Sequence, residues 1–191
     1  MKIRLNGPAL SVGALIGVTL LASGSAAAAG PAAAKSYQGT ISLKRTCSDA
    51  DNKMDESVQF AGVVLTAGPT AKGTTSWMNT GPLSVTVAVS NVNTENPTIL
   101  IPSKSFKDDK VGVMLTREAD KKTYSLIVGP IEKVPATIKT GGETISDFWD
   151  IQGQTAGDVP LPADPSHLKG TKTMTETNGA KVVLTWDLQL K

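Results

Sequence analysis

The chain has 191 residues, 40% of them hydrophobic but only 4% aromatic, with 19 Lys and Arg against 17 Asp and Glu, one His and one Cys. A single Cys excludes a disulfide-stapled scaffold, and one His with one Cys cannot supply the three or four N/S ligands of a zinc site. Lys2 and Arg4 are the only charged residues before Lys35, so the remainder carries 17 basic and 17 acidic residues and has no net pull toward nucleic acid or anionic lipid.

Those two charges, the apolar stretch from Pro8 to Ala22 and the small residues from Ser23 to Gly30 make the three parts of a secretory signal peptide. The apolar run is shorter than the roughly 18 to 20 residues that cross a bilayer. Cleavage is expected after Ala27, Ala28 or Ala29, and no Cys stands there to carry a lipid anchor. The expected organisation is a signal peptide over 1–29, a flexible lead-in over 30–35 and one domain over 36–191. Taking 29 from 191 leaves 162 residues, enough for one well-cored domain. The protein is therefore expected to be exported, periplasmic or secreted, with no membrane span in its mature part. Too few aromatics are present for the girdles of an outer-membrane barrel.

Strand signals follow in order. Tyr37, Gly39, Ile41 and Leu43 alternate with Gln38, Thr40, Ser42 and Lys44, the period of two that a half-buried strand requires. Val58 to Thr66 reads as a second strand, and Leu83, Val85, Val87 and Val89 alternate with polar or small residues in a third. Thr98 to Ile101 is a short apolar run. Val111–Thr116 and Thr123–Val128 flank a polar connection suited to a hairpin. Thr144 with Asp147 resembles a capping box ahead of Ile145, Phe148 and Trp149, which predicts one short helix near 144–151. Thr171–Thr177 and Ala180–Leu190 flank Asn178-Gly179, which predicts a two-residue type I′ turn. That turn would set Glu176 opposite Lys181 and Thr171 opposite Trp186, with Leu184, Trp186, Leu188 and Leu190 as a buried stripe. Gly-Pro pairs at 68–69, 81–82 and 129–130 punctuate the chain. The predicted fold is all-β, an antiparallel β-sandwich of Ig-like or jelly-roll type, with a partly open β-barrel as second choice.

Catalytic inventory is thin. His167, in a Pro-rich stretch, is the sole imidazole for any hydrolase triad and reads as a loop histidine. Asp49, Asp51, Asp55 and Glu56 concentrate the oxygen ligands calcium prefers, but Lys53, Met54 and Phe60 stand where an EF-hand needs an oxygen ligand, Gly and Glu. Asp147, Trp149 and Asp150 form a second candidate, an interaction surface for a protein or glycan; the same two carboxylates beside a sugar-stacking Trp are candidates for a small glycan hydrolase. Cys47 reads as a buried thiol, with an intermolecular disulfide as the alternative. The expectation is a non-enzymatic exported binding, structural or interaction module without cofactors. The alternatives are a fimbrial-type subunit self-assembling through the extended segment Tyr37 to Arg45, and a small secreted hydrolase on the acidic stretch.

Overall fold

Alternation of apolar and polar residues dictates a chain made of strands, and the computed structural model, which describes residues 35–49, 51–94 and 97–191, contains no helix among them. The expected signal peptide lies outside the described residues. The strands are β1 (Ser36–Ser48), β2 (Asn52–Ala67), β3 (Thr74–Asn79), β4 (Leu83–Asn93), β5 (Thr98–Asp108), β6 (Val113–Glu118), β7 (Thr123–Val128), β8 (Ile131–Thr140), β9 (Glu143–Ile151), β10 (Gln154–Pro160), β11 (His167–Thr175) and β12 (Lys181–Leu190). Every pairing is antiparallel, as the one-sided alternation requires.

Gly68-Pro69 lies in the connection that turns β2 back into β3, whereas the other two Gly-Pro pairs interrupt strands without redirecting them. Gly81-Pro82 separates β3 from β4, yet both run along one edge of β2, through Leu65↔Asn79 and Ala61↔Ser84. Gly129-Pro130 separates β7 from β8, and Gln152-Gly153 separates β9 from β10. Their pairing nonetheless continues as one long hairpin, from Thr140↔Glu143 to Thr123↔Pro160. Because β5 and β6 also follow one another along β4 and β3, four such joins reduce the twelve strands to eight long ones. Their order is β9/β10, β7/β8, β5/β6, β3/β4, β2, β1, β12, β11. Neighbours in sequence are neighbours in the sheet, except that the final hairpin adds to the far side of β1.

This open sheet curls until its halves face each other across one core. Trp186 of β12 meets Tyr124 of β7 edge-on, with centroids 6.2 Å apart, and its indole N–H donates to the Tyr124 hydroxyl at 2.9 Å. Bulges supply the bending: Gly62 (φ 62°) in β2, Lys133 (φ 56°) in β8 and Asp158 (φ 51°) in β10 each stand at a shift of register. Phe60, Leu65, Val85, Leu115, Leu126, Leu184 and Trp186 fill the interior, while Lys, Ser and Thr face out, the inverse of a lipid-facing barrel.

Two local expectations are corrected. The segment 144–151 is not a helix but most of β9. Gly141 and Gly142, both at positive φ (55° and 84°), form a two-residue turn that starts strand pairing where a helix cap was expected. A helix there would also need an apolar face to bury, and Ile145 and Phe148 are exposed. The final hairpin turns through three residues, not two. Glu176 N–H donates to Ala180 O (2.8 Å) and Gly179 N–H to Glu176 O (2.9 Å), with Gly179 at φ 82°, a type I turn closed by a left-handed glycine. Register therefore moves by one: Thr175, not Glu176, faces Lys181, and Gly170, not Thr171, faces Trp186. The stripe Leu184, Trp186 and Leu188 is buried as expected, Leu190 partly so.

Candidate functional site

The inward face of β1 runs Tyr37, Ile41, Leu43 and then Arg45; that of β2 runs Phe60, Val58 and then Glu56. Period two carries both apolar stripes into opposite charges at the same level, since Arg45 and Glu56 are cross-strand partners. Both are buried, at 3% and 2% exposure, and the Arg45 Nη1–Glu56 Oε1 contact is a direct ion pair. Arg45 Nε donates to Glu176 Oε1 in the final hairpin loop (3.1 Å), and Nη2 to the Gln152 carbonyl between β9 and β10 (3.3 Å). Gln154 Nε2 donates to the same Glu176 oxygen at 2.7 Å, and the Trp149 indole reaches Glu56 Oε2 at 3.5 Å. One guanidinium thus ties the N-terminal hairpin to the two-residue joint of the long hairpin and to the last turn.

These groups floor a cavity of about 270 Å³, also lined by Cys47, Met54, Asn91 and Asp150. Burial pushes the Glu56 carboxyl above its ordinary range; the Arg45 guanidinium and the Trp149 N–H oppose this, while Glu176 adds to it. Glu56 therefore holds more proton folded than unfolded between the ordinary glutamate range and its raised value. Stability falls as pH rises through that window. The exposed Asp187, whose pKa is lowered by His167 and then Lys169, has the opposite sign: its contribution is present above the ordinary aspartate range and is lost as pH falls through it. Urea midpoints of the wild type should decline on the high-pH side of the ordinary glutamate range, and Glu56→Gln should remove that decline. An unchanged profile in the variant would contradict the assignment.

The candidate calcium ligands separate. Asp49 Oδ1 accepts the Asp51 and Asn52 N–H groups (3.0 and 2.7 Å) in the β1–β2 turn. Asp55 pairs with Lys44 outside (3.5 Å), and Glu56 points into the core. Among the described residues no three His, Cys, Asp or Glu side chains converge for a metal. The other candidate separates too: Asp147 and Asp150 lie three residues apart on a strand and so on opposite faces. Asp150 accepts the Lys133 N–H at the β8 bulge (2.7 Å), while Asp147 accepts Phe148 N–H (2.9 Å). They border different depressions, so no carboxylate pair assembles there. Of the three, Trp149 is the one partly buried, and it lines the Arg45 cavity with the exposed Asp150 at its border.

His167 opens β11 rather than a loop. Its Nε2 lies 2.7 Å from Asp187 Oδ1, and Lys169 Nζ is 3.0 Å from the other oxygen, an exposed cross-strand cluster. Ser166 is engaged by Asp164 instead. Cys47 is partly exposed and free. Tyr37 to Arg45, the segment considered for strand donation, is built in as β1 between β12 and β2.

No family model, curated protein or solved structure matches the chain. The site therefore has to be read from its own chemistry. The residues that sequence reasoning passed over are Arg45, Asn91 and Glu176. Arg45 had a signal: it continues the parity of Ile41 and Leu43.

Proposed function

We propose that this chain is an exported, non-enzymatic binding module that takes up a basic, extended segment of a partner protein along the free edge of β9. The observation that carries the reading is that, among the described residues, β9 pairs with β8 alone while Phe148 and Ile145 stand 59% and 44% exposed on it. Edge strands are ordinarily blunted by lysine or proline to prevent pairing with another chain. Here the strand carries Glu143, Asp147 and Asp150 and no base, and no Lys or Arg stands between Lys139 and Lys169 in sequence. Counting from the Thr140↔Glu143 pair, Phe148 and Pro135 face each other at a non-hydrogen-bonded position, so the Phe148 N–H points to the free edge, where Asp147 Oδ1 accepts it at 2.9 Å. Strand addition would satisfy this edge with main-chain hydrogen bonds, and the acids select lysine-bearing partners. Support for export comes from the residue pattern of 1–29.

An acetylated peptide alternating lysine and valine tests the reading. It should bind, while its glutamate–valine counterpart should not. Phe148→Ala should weaken binding by roughly tenfold or more, the worth of one partly buried aromatic contact. Equal binding of both peptides, or none of either, overturns it.

A further inference from the structure

We propose that the cavity over Arg45 is a second, separate site, one that binds a small organic cation: a primary ammonium or guanidinium on a short alkyl stem. The charge inventory decides the sign of the ligand. Among the described residues that line it, Arg45 is the only cation, against Glu56, Glu176 and Asp150. Its Nε, Nη1 and Nη2 already donate to Glu176, Glu56 and the Gln152 carbonyl. An anion entering here would meet a guanidinium already engaged and three carboxylates. A cation meets unsatisfied acceptors.

Asn91 Oδ1 is sealed from solvent and accepts no hydrogen bond, one of two such side-chain atoms among the described residues. A native protein leaves few buried polar atoms unpaired, and because Asn91 is among the residues around this cavity, a donor that reached its Oδ1 would supply the missing partner. Glu176 spends a single oxygen, Oε1, on both Arg45 and Gln154, and its Oε2 receives no hydrogen bond from the described residues. Glu56 Oε2 has only the long 3.5 Å contact from Trp149. Three residues with acceptor capacity to spare, Asn91 on β4, Glu176 in the last hairpin loop and Glu56 on β2, therefore line one space together with Trp149. An aromatic wall suits a cation, through attraction to the ring face and contact with the alkyl stem. At about 270 Å³ the space lies just below the size of drug-like pockets, which limits the ligand to a few carbons. The opening of a curled β-sheet is a place where such sites occur.

The ammonium has two sources, a free amine or the lysine side chain of a peptide. Calorimetric titration with 1,5-diaminopentane and with N-acetyl-lysinamide separates them, with acetate and pentanol as anionic and neutral controls. At low salt at least one amine should bind with Kd below about 1 mM, and neither control should bind. Binding of the diamine alone assigns the free amine, and binding of both admits the side chain. Glu176→Gln should weaken amine binding by about tenfold, the value of one charge-assisted hydrogen bond. Because that variant also loosens the Arg45 network, Asn91→Leu is the cleaner probe: it removes an unpaired buried acceptor, so the urea midpoint should hold or rise while amine affinity falls. Asp55→Asn, on the outer surface, should change nothing. No saturable binding of either amine, binding of acetate in their place, or unchanged affinity in both pocket variants overturns the proposal. The Phe148→Ala variant should bind the amines normally, since Phe148 lies on the outer face of β9.

Discussion

Arg45→Met should lower the unfolding free energy by about 3 to 5 kcal/mol, because it leaves Glu56 buried without its counter-charge. Glu56 is 2% exposed, and without Arg45 its only other hydrogen bond is the 3.5 Å contact from Trp149. The loss is specific to the unpaired charge rather than to lost packing, since methionine fills much of the arginine stem's volume. Two consequences follow. The double variant Arg45→Met/Glu56→Met should recover most of the loss, as apolar replacement of a whole buried pair is often neutral or stabilising. The cost of the single variant should also shrink as pH is lowered, because a protonated Glu56 needs no counter-charge. Urea unfolding at two pH values measures both. A single-variant loss under about 1 kcal/mol, the range of surface pairs, would place the pair in solvent.

Trp186→Ala should cost about 3 to 5 kcal/mol, the range for emptying a large aromatic from a core. The ring is 1% exposed and supplies the hydrogen bond to Tyr124 Oη, so its removal opens a cavity and strips a buried hydroxyl of its donor. Its cross-strand partner Gly170 sharpens the test. A Cβ built on Gly170 would lie 2.5 Å from Trp186 Cζ2, so the indole occupies the space a side chain on β11 would take. Gly170→Ala should therefore destabilise the wild type by about 1 to 3 kcal/mol. In the Trp186→Ala background the same methyl enters the vacated space and should be neutral or stabilising. A double-mutant cycle by chemical denaturation reads that reversal directly. Additive losses would mean that the ring does not lean on Gly170.

The parts of this fold legible in the sequence are those where alternation meets a buried face. Tyr37 to Leu43, Leu83 to Val89 and Leu184 to Leu188 each pack one side against the core, so apolar residues recur every second position. β9 escaped because most of it buries neither side: with Glu143 to Phe148 exposed, no period is imposed, and Ile145, Phe148 and Trp149 fall by chance at helical spacing. The Gly-Pro pairs were read as breaks between strands, whereas antiparallel pairing carries across Gly81-Pro82 and Gly129-Pro130 because β2 and the β9/β10 strand continue opposite them. The one-residue register error in the last hairpin came from assigning Asn178-Gly179 to the shorter turn. Of the site, Trp149, Asp150, Glu56 and Cys47 stand out in the sequence, but Arg45, Asn91 and Glu176 do not. Glu56 was grouped with its acidic neighbours in sequence, while strand parity sends it inward, away from Asp55, to meet Arg45.

The position of β1 sets the order in which the molecule can be completed. Its outer edge is matched residue for residue by the end of the chain, from Tyr37↔Leu190 to Thr46↔Lys181. A polypeptide emerging N-terminus first thus leaves this edge of β1 bare until β12 has been made. Contacts spanning the whole chain close late and slowly. During that interval β1 and its apolar stripe are available to any passing strand. The edge of β1 is thus the part of the fold most open to misassembly before β12 docks.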